Sequence, residues 1–298
     1  MRGVVVQANP TVYAALRKRR EAGLHSEAIA ESQPLAWAAW LVVDEGDVAF
    51  NVFVGPADAG DTGIEMARRQ CKTGTSEPWR HRRALIEKLR HLARRHGMDR
   101  VFADFIELSC CSLSNAVDKS QFAVRESRYH EIRKRYTTEE LQHFSEMLAL
   151  LALVMEEAGF DDVLGGLFMT LDLGSKRSGQ VFTPYPVSRM MAMVTMGASP
   201  ELPPHGFFNA IEPACGAGGI VVAMADTLHQ AGMNYQRHLH VTCIDIDLRC
   251  VHMTYLQVSL LHIPAIVVHG NALSGEVWDR WYTPAHVLGR WGARLDRH

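Results

Sequence analysis

The chain has 298 residues, enough for one large domain or two ordinary ones with a real buried core. Lys and Arg number 31 against 33 Asp and Glu, a formal charge of -2, so no global attraction to nucleic acid exists and any such surface must come from local clustering. Six cysteines lack CxxC or Cys/His ligand spacing, nothing at the N-terminus reads as a secretory signal, and no apolar run approaches the roughly 20 residues that span a bilayer; the expectation is a cytoplasmic protein with reduced thiols, no metal site and no membrane association.

The first hundred residues differ from the rest. Val4, Val5 and Val6 form a β-branched run, and residues 11–21 read as a helix carrying the basic run Arg17, Lys18, Arg19, Arg20. Apolar runs at 36–43 and 48–54 flank Asp44, Glu45, Gly46 and Asp47, which is a hairpin signal. Gly55 and Pro56 end it, and residues 56–75 read as a loop or partly ordered connection. Between 79 and 96, Leu85, Ile86, Leu89, Leu92 and Ala93 share one helical face, Arg80, Arg82, Arg83, Lys88, Arg90, Arg94 and Arg95 lie largely off it, and Gly97 is placed to cap the end. Those cations suit phosphate contact, although charge runs on soluble helices more often form an ordinary solvated face.

Residues 101–173 read as helical. Phe102, Phe105, Ile106 and Leu113 follow helical spacing, and a second helix carries Arg125, Arg128, Arg133, Lys134 and Arg135. Thr137 and Glu140 form a capping box that opens a long helix with the core face Leu141, Phe144, Leu148, Leu151 and Met155, stopped by Gly159.

Four short motifs then follow in order: GQVFTP at 179–184, EPACGAGG at 212–219, CIDID at 243–247 and HGNAL at 269–273. Residues 207–212 read as a strand, 213–219 as a glycine turn and 220–229 as a helix. That order lets backbone amides and a helix N-terminus approach a ligand closely, because Gly216 and Gly218 have no side chain to block it. A second strand over 240–246 ends at Asp245 and Ile246; an acidic residue there suits ribose hydroxyls, whereas Asp247 precedes the 248–261 helix and suits its cap. A third strand, 264–269, delivers Gly270, Asn271 and Ala272 to the same carboxyl edge.

EPACGAGG resembles the DPxCGSGG motif of the N6-adenine DNA methylase family, typified by the modification subunits of type I restriction systems, and GQVFTPYPVS resembles the GQFFTP element preceding it there. The resemblance covers about residues 100–273. It implies an α/β fold, a Rossmann-like S-adenosylmethionine-dependent methyltransferase fold with an incomplete sheet, preceded by a helical domain. The organisation is then an α+β extension over 1–98, a helical domain over 99–175 and a cofactor-binding domain over 176–298. It further implies S-adenosylmethionine as cofactor and DNA as partner, in a restriction-modification or mobile-element context. Cofactor roles fall on Phe182, Thr183 and Pro184; on Glu212, Pro213, Cys215, Gly216 and Gly218; on Asp245 with Ile246; and on Asn271 with Ala272. Glu212 and Asn271 each replace an Asp of the family pattern. Asn271 still accepts a hydrogen bond through its oxygen, so the resemblance places the adenine amino group there.

The Asn-Pro-Pro-aromatic element that holds a flipped adenine in that family is missing from 274–298, where no further strands are expected. Tyr282, Thr283 and Pro284 are its nearest match in the tail. Asn9, Pro10 and Tyr13, after Val4–Val6, offer a degenerate version in circularly permuted order, or simply a helix cap. Catalytic residues therefore stay unassigned. Two functions stand: a DNA adenine methyltransferase, with a protein partner or second copy completing the sheet, or a catalytically degenerate module that engages DNA or a protein without methyl transfer.

Overall fold

The structure is a computed structural model that describes residues 35–44, 47–56, 79–173, 182–197 and 200–297. The 11–21 helix, the Val4–Val6 run, the Asn9–Pro10 segment and most of the expected 56–75 connection lie outside the described residues. Strands β1 (Leu35–Asp44) and β2 (Asp47–Pro56) pair antiparallel with Asp44 opposite Asp47, the hairpin that the residues between the two apolar runs encode.

Four helices build the first packed layer. Helix α1 (Arg80–His96) buries Leu85, Leu89 and Leu92 and stops at Gly97, whose φ of 83° lets its N–H reach the Ala93 carbonyl. Helix α2 (Met98–Val117) is apolar nearly all round and central; Phe102, Phe105, Ile106 and Leu113 are buried. Helix α3 (Phe122–Arg133) follows, then α4 (Thr138–Ala158), opened by the capping box in which Glu140 N–H donates to Thr137 Oγ1 at 3.2 Å and Thr137 N–H donates to Glu140 Oε2 at 2.8 Å. Helix α4 runs antiparallel to α1, as the pairings of His81 with Glu157, Lys88 with Glu146 and Arg95 with Glu140 show. Part of the α1 basic face is thus spent inside the protein, with Arg82 donating to Thr170 Oγ1 as well; Arg80, Arg90 and Arg94 face solvent. The short α5 (Val163–Thr170), capped by Asp162, leads toward the sheet.

Helix α6 (Tyr185–Met196) packs on α7 (Gly219–Gln230), and a four-stranded sheet follows in the order β3-β4-β5-β6. Strands β3 (Phe208–Glu212), β4 (Leu239–Asp245) and β5 (Ala265–Asn271) are parallel, linked by α7 with α8 (Tyr235–His238) and by α9 (Leu248–Leu260). Ala265, Val267 and Val268 are all buried, the composition an interior parallel strand needs. Helix α9 lies between the sheet and α2; Cys110 Sγ on α2 donates to the His252 carbonyl at 3.2 Å.

The tail corrects the expectation that it adds no strand. Residues Glu276–Tyr282 form β6, antiparallel to β5 and covering its outer edge. Its inward face carries a charge, Asp279, which hides the alternation. That charge is met by Arg125 of α3, a buried guanidinium donating to Asp279 Oδ2 at 2.7 Å and Oδ1 at 2.8 Å, and to the Arg280 carbonyl at 3.1 Å, while stacking 3.5 Å over Trp281. Gly270 sits at the irregularity in this pairing, where a Cβ would lie 2.4 Å from the Glu276 carbonyl oxygen. Helices α10 (Pro284–Leu288) and α11 (Trp291–Leu295) fold under the N-terminal end of the strands. Among the described residues β3 pairs only with β4, and Ile211 on it is 68% exposed. No helix among them is long and apolar enough to cross a membrane.

Replacing Arg125 with Ala leaves Asp279 facing the core alone. We expect a loss of about 3 kcal/mol or more in denaturant unfolding, and no rescue by Arg125→Lys, which cannot reproduce the fork. A second expectation concerns pH. Burial depresses the imidazoles of His240 to about 3 and of His252, His262 and His286 to about 4, with His240 Nε2 and His286 Nδ1 only 3.0 Å apart. These folded values lie below the usual 6.5, so the unfolded chain binds more protons and stability is complete above pH 6.5 and lost as pH falls toward 4. Melting followed across that window should show a steep acid-side decline of roughly 2 kcal/mol per buried neutral histidine, reduced for the coupled pair; a flat profile would contradict it.

Candidate functional site

The carboxyl ends of β3, β4 and β5 meet at one edge of the sheet, and the sequence 212–219 forms a turn there between β3 and α7. Cys215 is buried beneath it, its N–H donating to the Ile244 carbonyl at 3.0 Å, which ties the turn to β4. Burial pushes the Cys215 thiol well above its usual range, so it is packing rather than a nucleophile. Gly216 and Gly218 have φ of 55° and 94°, conformations that a Cβ disfavours. Glu212 Oε1 accepts the Ala214 N–H at 3.1 Å, a local contact that stiffens the entrance to the turn, while Pro213 is exposed.

The two peptide groups flanking Gly216 are both held. Asp245 Oδ2 accepts the Gly216 N–H at 2.9 Å, and Thr254 Oγ1 on α9 donates to the Gly216 carbonyl at 2.9 Å. Asp245 Oδ1 accepts the Asp247 N–H at 2.9 Å, and Asp247 itself caps α9 by accepting the Arg249 N–H at 2.8 Å, its expected role. Burial raises the Asp245 carboxyl, a shift opposed by those two N–H donors. The Ile246 N–H acts on the same carboxyl, so three of about four acceptor positions on a carboxylate are engaged and acceptor capacity is left over.

Phe182 lies on the turn: a Cβ at Gly216 would be 3.1 Å from its ring, and the ring packs against Phe168 at a centroid distance of 5.1 Å. Thr183 and Pro184 are exposed beside it, and Pro184 caps α6; residues 179–181 of that motif lie outside the described residues. Beside Asp245, Ile246 is 62% exposed and Leu248 38%, next to Asp247 and the cross-strand partner His269; Leu273, in the β5–β6 turn, is fully exposed. Asn271 closes the β5–β6 turn. Its Oδ1 accepts the Leu273 N–H at 3.0 Å and lies 3.4 Å from that of Ser274, so the acceptor is already engaged in an Asx turn, and Ala272 stands exposed in the same turn.

Tyr282, Thr283 and Pro284 sit at the opposite end of the sheet. Thr283 is fully buried, accepts the Ala265 N–H at 2.9 Å, donates to the Ile263 carbonyl and caps α10, so this stretch anchors the first residue of β5 and is remote from the carboxyl edge.

Two residues that motif reading passes over reach the turn from α9. Beside Thr254, Gln257 Nε2 donates to the Ala217 carbonyl at 3.0 Å. Both are fully buried polar side chains three apart on the helix, and that spacing was the available signal, shared with the buried His252 and Ser259 of the same helix.

The geometry makes Gly218→Ala costly. Its φ would be strained and its Cβ would stand 3.2 Å from Thr254 Oγ1 and 3.4 Å from the Thr254 Cα. We expect a stability loss of about 1 to 3 kcal/mol in thermal melts, with faster amide exchange in the first turn of α7.

A family model described as N-6 DNA methylase matches residues 165–286, from α5 through the turn and sheet to α10. No curated protein and no solved structure matches the chain significantly.

Proposed function

Since residues 165–286 belong to the N-6 DNA methylase family, we propose that the carboxyl edge of the sheet binds S-adenosylmethionine and that the protein acts on DNA adenine. The observation that carries this reading is the glycine turn pinned by Asp245, beside a carboxylate with acceptor capacity left over. The residues present fit the cofactor. The positive φ of Gly216 and Gly218 lets the turn fold tightly beneath Phe182 and against Thr254, the partly exposed Asp245 keeps acceptor capacity for a ribose hydroxyl, and the exposed Ile246 beside it offers apolar surface to a purine. Phe182 stands over the turn where the methionine end would lie. The parallel β3–β4–β5 run with helical crossovers supports a Rossmann-like arrangement.

When bound, the cofactor supplies an electrophilic methyl group; what the described residues supply is its cradle. Among the described residues no group stands ready to hold an extruded adenine, because Thr283 and Pro284 lie at the wrong end of the sheet. A partner chain or second copy seated along the open side of β3 is the arrangement we favour for completing the enzyme, in a restriction-modification or mobile-element setting. A module that binds cofactor and DNA without methyl transfer is the second reading, favoured by that same placement of Thr283 and Pro284.

Calorimetric titration with S-adenosylmethionine tests the cradle. The native chain should bind, and Asp245→Asn, which keeps one acceptor oxygen and turns an NH2 donor toward one of the two N–H groups that Asp245 now accepts, should weaken binding by about tenfold or more, close to 1.4 kcal/mol, with a lowered melting temperature. Absence of binding by the native chain would defeat the proposal. Transfer of labelled methyl groups to DNA by the same preparation would separate enzyme from module.

A further inference from the structure

Asp162 and Gln257 form a buried pair between the helical layer and the glycine turn. Gln257 makes three hydrogen bonds with one amide: Oε1 accepts the Leu164 N–H at 2.9 Å, and Nε2 donates to Asp162 Oδ1 at 3.0 Å and to the Ala217 carbonyl at 3.0 Å. Asp162 Oδ1 also accepts the Gly165 N–H at 2.9 Å as the cap of α5. The other carboxylate oxygen lies against the start of α7, where a Cβ at Gly219 would be 3.0 Å away. On the α5 side a Cβ at Gly165 would be 2.1 Å away. Two glycines, one from each helix, thus make room for one carboxylate.

We propose that Asp162 and Gln257 are positioning residues of the cofactor site, setting the conformation of the turn through the Ala217 carbonyl; this rests on the reading that the turn binds S-adenosylmethionine. An ordinary helix cap needs no such arrangement, since Ser, Thr or Asn serves as well without burying a charge. Here burial raises the Asp162 carboxyl, and the charge of Asp161 adds a smaller push in the same direction. What offsets these costs is the N–H donors of Gly165 and Gln257 and the positive end of α5. Gln257 also completes the grip on the turn: Asp245 and Thr254 hold the Gly216 backbone, and Gln257 holds the next carbonyl.

The Gln257→Glu variant separates positioning from mere support, because a protonated carboxyl group can make one of the amide's two donations, to Asp162 or to the Ala217 carbonyl, and an ionised one can make neither. Beside Asp162 and Asp161 it will hold its proton to unusually high pH. Amide hydrogen exchange of residues 215–220 and calorimetric affinity for S-adenosylmethionine are both read for the native chain, Gln257→Glu and Gln257→Leu. Expected is exchange at 215–220 accelerated by both variants, with α2 and α4 protected as in the native chain. Affinity should fall about tenfold in Gln257→Glu near pH 8 and return toward native near pH 5.5, a recovery that Gln257→Leu does not show. Referring each affinity to the native value at the same pH cancels titration of Asp245. Native-like exchange at the turn in Gln257→Glu, or a variant-to-native affinity ratio independent of pH, overturns the proposal. If the native chain does not bind the cofactor, the cofactor reading fails, and the exchange data alone decide whether the pair holds the turn. If Gln257→Leu does not fold, the pH response of Gln257→Glu decides.

Discussion

The backbone of Gly216 is the constraint on which the site depends. Its N–H ends on Asp245 and its carbonyl on Thr254, so one strand end and one helix hold a backbone unit that glycine alone would leave free. Because β4 delivers Asp245 and the following helix α9 delivers Thr254, the turn is fixed by the element pair next to it in the sheet rather than by its own residues. The same carboxylate that holds the turn is the one we propose takes a ribose. On that proposal cofactor affinity and turn geometry are coupled through Asp245, and removing it outright would disturb both.

Helix α9 transmits that geometry to the rest of the fold. One side of it packs on β4 and β5, another on α2, and its polar residues face the turn. Farther along the sheet, Arg125 makes the corresponding connection, from α3 to β6. The helical layer and the sheet are thus joined at both ends by buried polar contacts rather than by apolar packing alone. Such contacts gain little net energy but penalise any shifted docking, since each would strand a charge or an amide. This fixes the register of the helical layer on the sheet.

Much of this was legible in the sequence, for identifiable reasons. The capping box at Thr137 and Glu140, the stop at Gly97, the cap at Asp247 and the strand-turn-helix at 207–229 are local signals, written within a few residues, and each stands as read. Strand β6 was not legible because its inward position 279 is an aspartate, and only a distant arginine makes that tolerable. The engagement of the Asn271 oxygen was hidden for a similar reason: a substitution read against a family pattern shows which donor or acceptor changes, but not which neighbour takes it. Asp162, Thr254 and Gln257 required knowing that α5, α9 and the turn converge.

The placement of Thr283 bears most directly on function. It closes the N-terminal end of β5 through Ala265 and Ile263, so the last turn of the sequence that resembles a base-holding element is committed to the fold. With β6 sealing the β5 edge by antiparallel pairing, the sheet has one side among the described residues on which to extend, the outer side of β3. That side is adjacent to the glycine turn, at the strand that enters it. A strand added there would bring its own carboxyl end, if parallel, next to Glu212 and the turn. On the proposed reading that is where an adenine-holding element is sought, so a chain docked along β3 would both cover the open strand and stand beside the turn.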